Sequence, residues 1–311
     1  RDGDRHALCW AWLNLNLRRI DMKFLRAWVN GAVVPGVLDN NGVRRNISAL
    51  AADVTSAQIS GAGLAQIKGA DLTALPEIAA DAPLVAPWAD CKKFICIGLN
   101  YADHAAESGL PIPPEPIIFT KSIDARVGPN HDVVLPQGSV KGDWEVELGV
   151  VIGQTARYVE QADALNYVAG YCVVNDVSER EYQIERGGTW DKGKGCDTFG
   201  PVGPWLVTTD EVTDPQGLGM WFELNGKRYQ NGSTKTMIFG VAELVSYVSR
   251  FMTLYPGDII STGTPPGVGM GVKPNPVFLK AGDQMRLGID GLGEQTQNVV
   301  AWDPARIDAI V

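Results

Sequence analysis

Beyond Lys93 the chain is a succession of short apolar runs separated by glycine-rich turns, and this pattern constrains the fold more than any other feature of the sequence. The runs fall at 94–98, 117–120, 133–135, 145–152, 169–175, 203–207, 220–224, 258–262 and 284–289. Such runs, bounded by turn residues, read as strands. Helical patterns interrupt the series twice, at 101–108 and 241–254. In the second, Val241, Leu244, Val245, Val248, Phe251 and Met252 recur at helical spacing, a stripe expected in the core, before Pro256-Gly257-Asp258 stops it. There is no regular strand–helix–strand alternation and no G-x-G-x-x-G after a strand, which argues against a doubly wound nucleotide-binding sheet.

Ahead of this series, residues 22–86 hold strand candidates at 23–28 and 32–38, an Asn40-Asn41-Gly42 turn and a weakly amphipathic stretch over 50–67, with no catalytic cluster. The expected organisation is α+β and strand-rich, with a small N-terminal α+β domain over 22–86 and a catalytic domain over 93–305. Residues 1–21 carry an apolar stretch interrupted by Asn14 and Asn16, unlike a secretory signal; they are expected to be an extension ahead of a natural start at Met22. No run approaches the roughly 18 apolar residues of a membrane span.

The formal net charge is -9 and no run of Lys or Arg offers a phosphate-tracking patch, so nucleic acid is not an expected partner. An acidic chain that takes an anionic substrate needs local positive charge from buried cations or a metal. Cys9, Cys91, Cys96, Cys172 and Cys196 form no C-x-x-C pair, which fits a reduced, cytoplasmic compartment. His6, His104 and His131 are too few for a His-rich zinc site, so any metal must be held mainly by carboxylates.

Several clusters could carry chemistry. On a strand, period-two alternation puts Glu145 and Glu147 on one face and Val146, Leu148 and Val150 on the other. Two such carboxylates repel unless a cation lies between them, although a lone E-x-E is more often a solvated strand face. The run Tyr171-Cys172-Val173-Val174-Asn175 ends in Asp176, and a helical turn after it would bring Arg180 and Gln183 to the same side; a helix start with an internal ion pair reads equally well. His104 and Glu107, three apart on a short helix, can form a water-activating pair or a plain surface pair. Lys121 closes an apolar strand and Lys194 sits in a glycine-rich loop where backbone could approach a ligand closely, and each reads equally well as plain surface charge. Thr264 belongs to a Gly263-Thr264-Pro265-Pro266-Gly267 segment whose amides and Thr264 hydroxyl could hold a carboxylate, although such a segment is more often an ordinary turn.

Taken in order, these segments resemble the fumarylacetoacetate hydrolase family: G-L-N-Y-x-x-H-x-x-E at 98–107, F-x-K-S at 119–122, E-x-E-L-G at 145–149, N-D-V-S-x-R at 175–180, G-K-x-x-D-T at 193–198, M-I-F at 237–239 and P-G-D-I-I-x-T-G-T-P-x-G-V-G at 256–269. The resemblance covers roughly residues 93–300 and looks most like bacterial 2,4-diketo-3-deoxy-sugar-acid hydrolases, relatives often labelled ureidoglycolate lyase-like. It implies a mixed β-sandwich roll, Mg²⁺ (with Mn²⁺ as the alternative) on Glu145, Glu147 and Asp176, and a water-activating dyad of His104 and Glu107. It further implies that Arg180, Gln183 and Lys194 steady an oxyanion, that Lys121 is an active-site lysine, that Thr264 contacts a substrate carboxylate, and that the assembly is a homodimer. The implied reaction is hydrolysis of a C–C bond in a 2,4-diketo acid, with oxaloacetate-type decarboxylation or enol–keto isomerisation as alternatives. Two positions depart from the family pattern: Gly195-Cys196 stands where Ser-Phe is expected, and His131 replaces a small or polar residue.

Overall fold

The computed structural model describes residues 22–307, so the expected extension over 1–21, with His6 and Cys9, lies outside the described residues. The β-branched and apolar runs pair into an eleven-stranded sheet. Its central order is Lys23–Val29, Gly200–Thr208, Val168–Asn175, Val146–Ile152, Ile259–Ser261, Phe94–Gly98 and Ile117–Lys121. All these pairings are antiparallel except that of Ile259–Ser261 with Phe94–Gly98. Val146–Ile152 and Val168–Asn175 are buried along their whole length, as strands covered on both faces must be.

The pleat sorts these strands into two cores. Val146, Leu148, Val150, Tyr171, Val173, Ile95 and Ile97 point to one side. There they meet Phe222, Met285 and Leu287 of a five-stranded sheet that contains Gly219–Leu224 and Gln284–Ile289. Trp144 stacks on Phe222 at this junction, with ring centroids 4.8 Å apart. Val151, Cys172, Val174, Phe94 and Cys96 point to the other side, against Met22, Phe24, Val37, Ile59 and Trp88. The segment expected as a small N-terminal domain therefore shares a core with the strands that follow Lys93. Its first strand, Lys23–Val29, also extends the large sheet, with Lys23 opposite Val207 and Phe24 opposite Leu206. The stretch over 50–67 yields only one short helix, Gly61–Lys68.

The helix expected over 241–254 runs Val241–Phe251 and buries Val241, Leu244, Val245 and Val248. Phe251 does not join the core: it is 58% exposed and packs edge-on against Tyr247. The buried arc is displaced instead toward Ser246 and Ser249, whose hydroxyls bond the backbone of Val159 at 2.7 and 2.9 Å. Hydroxyl partners that hydropathy alone does not weigh have rotated the helix. Among the described residues Cys91, Cys96, Cys172 and Cys196 are unbridged, and no helix is long and apolar enough to cross a membrane.

Candidate active site

Strand register assembles the acids. Val146 lies opposite Asn175, so Glu145 and Asp176 leave adjacent strand ends, joined by a backbone bond from Asp176 N to Glu145 O at 2.9 Å. Glu147, two residues along the same face, completes a group in which one oxygen from each of Glu145, Glu147 and Asp176 lies within 4.8 Å of the others. The alternation expected from sequence is the one observed. The route after Asp176 differs, because Ser178–Glu179 first pairs as a strand with Gly142–Asp143 and only then does a short helix, Glu181–Glu185, begin. Arg180 and Gln183 still arrive at the site, linked to each other by a bond from Arg180 Nη1 to Gln183 Oε1 at 3.0 Å.

Three cations sit among the acids. Lys194 Nζ bridges Glu145 Oε2 at 2.7 Å and Asp176 Oδ2 at 2.8 Å, and Arg180 Nη2 reaches Glu145 Oε1 at 2.8 Å. Lys121 Nζ binds Asp176 Oδ1 at 2.5 Å and the Val177 carbonyl at 3.0 Å. The Gly195-Cys196 departure has thus not displaced Lys194. Its helix, Asp191–Lys194, fits because position 193 is glycine; a Cβ there would meet the Glu179 carbonyl at 2.3 Å.

The acids are not equally satisfied. Burial raises the pKa of Glu145, but Lys194 and Arg180 together outweigh it and hold the carboxyl below its usual range. Lys194 moves the opposite way: burial works against its charge, and Asp176 and Glu145 prevail to hold the proton. Among the described residues Glu147 has the Ser261 hydroxyl at 2.5 Å and the Gly263 amide at 3.0 Å as its hydrogen-bond partners, and burial followed by repulsion from Asp176 and Glu145 raises its pKa well above normal. A buried cluster of hard oxygen donors with one carboxylate lacking a cation is the donor set that suits Mg²⁺ or Mn²⁺. The residues present fit such an ion.

The second component rests on the helix Ala102–Ser108, where His104 Nδ1 lies 3.1 Å from Glu107 Oε2. The Gly267 amide donates to both Glu107 oxygens, at 3.1 and 3.2 Å. The hydrogen bond with His104 lowers the Glu107 pKa against the effect of burial, with help from the Gly267 amide. Buried Asn100 fixes the turn into this helix, with its amide donating to the carbonyls of Phe239 and Thr262 and its oxygen accepting from Phe239 N. Those bonds support Leu99 in the left-handed region, φ 52°, which leucine rarely adopts.

One cavity of about 640 Å³ receives both components: His104, Glu107, Glu145, Glu147, Arg180, Gln183, Lys194 and Thr264 all line it. Lys121 and Asp176 do not line it; both are buried behind that wall. The Thr264 hydroxyl donates to Val146 O at 2.9 Å and accepts from Gln230 Nε2 at 2.8 Å, so its single proton is engaged within the protein. His131 lines a different surface hollow, with Arg44 and Arg306.

Sequence reasoning missed Asp143, whose carboxylate is fully buried and binds Arg180 Nε at 2.8 Å and the amides of Gly269 and Met270 at 2.6 and 3.0 Å. The same period-two rule that paired Glu145 with Glu147 points to Asp143 two residues earlier. It also missed Trp190, which lies against Gly98 so closely that a Cβ there would meet the ring at 2.4 Å.

Residues 93–300 match the family model described as fumarylacetoacetate (FAA) hydrolase C-terminal. A Burkholderia ambifaria protein named "Putative hydrolase" is 61% identical over 277 residues, covering 89% of this chain and 98% of its own length. Among solved structures, a fumarylacetoacetate hydrolase from psychrophilic Exiguobacterium antarcticum aligns with a TM-score of 0.80 at 34% identity, over 90% of this chain and 100% of its own. A 2-hydroxyhepta-2,4-diene-1,7-dioate isomerase from Mycobacterium marinum aligns at 0.71 and 34% identity, over 90% and 98%. Fumarylpyruvate hydrolase from Pseudomonas aeruginosa, in complex with Mn²⁺ and pyruvate, aligns at 0.63 and 32% identity, over 72% and 93%. With motifs, fold and relatives in agreement, the chain belongs to the fumarylacetoacetate hydrolase family.

Proposed function

We propose that this chain is a divalent-metal-dependent hydrolase that cleaves the C3–C4 bond of a 2,4-diketo acid, an acylpyruvate or a 2,4-diketo-3-deoxy sugar acid, giving pyruvate and a second carboxylic acid. The observation that carries this reading is that Glu145 and Glu147 of the acid group open onto the same cavity as the His104–Glu107 pair. Mg²⁺ or Mn²⁺ bound by Glu145, Glu147 and Asp176 would supply a Lewis acid that favours the enolate of pyruvate as a leaving group.

His104 has Nδ1 committed to Glu107, so Nε2 is the edge that takes a proton from water. As that proton leaves, the water oxygen bonds C4; the C3–C4 bond then breaks, its electron pair stays with the pyruvate fragment, and a proton returns to C3. Glu107, kept anionic by its hydrogen bonds, holds the imidazole tautomer and stabilises the imidazolium. The Gln183 carbonyl accepts from Arg180, which leaves its amide NH₂ to donate to the alkoxide forming at C4. One well-placed donor is worth about 3–4 kcal/mol. Lys121 acts behind Asp176 as a positioning residue.

A second reading, enol–keto isomerisation, is favoured by the likeness to the Mycobacterium marinum isomerase and would use the same acids. Decarboxylation of an oxaloacetate-type acid would use them too. Product masses from a panel of acylpyruvates, diketo sugar acids and oxaloacetate separate the three. Pyruvate plus a second acid, abolished by chelator, is the expected result; carbon dioxide or a product of unchanged mass would move the assignment to the corresponding alternative.

A further inference from the structure

Beyond its charged floor, the cavity is walled by apolar side chains on three separate segments. Leu110, Ile112 and Ile117 come from the chain after the dyad helix, Ile184 and Trp190 from the segment before Lys194, and Met270 from the loop beside Glu107. Five of the twelve large apolar side chains exposed among the described residues line this one cavity: Leu110 (53%), Ile112 (60%), Ile117, Ile184 (49%) and Met270. Single exposed apolar residues are ordinary, but such a concentration around one opening marks a binding surface. Pro111, Pro113 and Pro114, also in this wall, contribute no amide donor. Deeper in, Arg180 is committed to Asp143, Glu145 and Gln183, and the Thr264 hydroxyl to Val146 and Gln230, so that outside the acid floor and the dyad the donors left in the lining are the Gln183 amide NH₂, already assigned to the alkoxide, and Ser108 and Lys273 at the rim. A polyhydroxylated tail entering this space would lose its water partners and find few replacements.

We infer that the substrate is an acylpyruvate whose acyl group carries an apolar tail, alkyl or aryl, seated against Leu110, Ile112, Ile184, Trp190 and Met270, rather than a diketo sugar acid. This inference rests on the reading of the floor given above. A tail that displaces water from these side chains gains about fourfold in affinity per buried methylene. A sugar-acid tail of equal length forfeits about tenfold for each hydroxyl left without a partner.

The test uses N-alkyl oxamates, which present the oxalate-like head of the pyruvate enolate with an inert tail, titrated by calorimetry into the Mg²⁺-loaded protein in competition with oxamate. Affinity should rise about fourfold per methylene from methyl to hexyl, and Ile184→Ser should flatten that slope. A parallel kinetic series should place hexanoylpyruvate at least tenfold above a diketo sugar acid of matched length in kcat/KM. An affinity independent of chain length, or a sugar acid preferred in kcat/KM, would overturn the inference. If affinity rises with chain length and yet no diketo acid is cleaved, the apolar mouth stands and the hydrolase reading fails. If oxamate itself does not bind, both fail.

Discussion

The acid floor and the His104–Glu107 pair share a cavity but are built in opposite ways. Glu145, Glu147 and Asp176 hang from strands buried on both faces, and their positions follow from a long-range register that sets Val146 opposite Asn175. The dyad sits on the short helix Ala102–Ser108, with side-chain exposures of 12% for His104 and 25% for Glu107, and is steadied by the Gly267 amide. A charge on the floor is therefore part of the fold's electrostatic balance, whereas the His104–Glu107 pair adds one partly exposed hydrogen bond to it. The floor should answer to stability measurements and the dyad to rates.

The largest effect tests the dyad side. His104→Ala should lower turnover on the order of 10²–10⁴-fold while the unfolding free energy falls by no more than about 1.5 kcal/mol, the worth of its hydrogen bond to Glu107. A large loss of stability would erase the distinction. Next, Lys194→Ala leaves Glu145 and Asp176 buried without their shared cation, and urea denaturation should show a loss of about 3–5 kcal/mol. Smaller again, Mg²⁺ at a hundred times its dissociation constant should stabilise the wild-type protein by about 2.7 kcal/mol. Glu147→Gln should lose most of that gain, as read by melting with and without chelator.

The smallest effect is in pH dependence. The Glu107 pKa lies below the ordinary glutamate value of 4.5, so its contribution to stability is fully present above 4.5 and is lost as pH falls through the lower folded-state value. A wild-type stability profile should therefore carry an acid limb below about pH 4.5 that Glu107→Gln reduces. An unchanged limb would show that Glu107 is not held as the geometry indicates.

The same contrast explains what was legible in the sequence. Strand alternation exposes Glu145 and Glu147 as a pair, and helical spacing exposes His104 with Glu107, because both are local periodicities. Their convergence with Asp176, Arg180 and Lys194 depends on register and on close approach at Gly193, neither of which a single sequence displays; the family resemblance supplied it. Asp143 followed the alternation but fell outside the E-x-E motif, so pattern matching passed over it. Phe251 shows the reverse failure: its spacing is right for the apolar stripe, and the buried hydroxyls of Ser246 and Ser249 turn it to solvent. The short bridge at Ser178–Glu179 likewise delays the helix after Asp176, yet leaves Arg180 within 2.8 Å of Glu145.

The most direct test of the account is anomalous diffraction from crystals grown with Mn²⁺ and oxalate. A single strong manganese peak is expected among the carboxylates of Glu145, Glu147 and Asp176, with oxalate beside it in the cavity that His104 and Glu107 line. A peak elsewhere, or none while Lys194 keeps its bridge between Glu145 and Asp176, would contradict the claim that floor and dyad form one metal-dependent site.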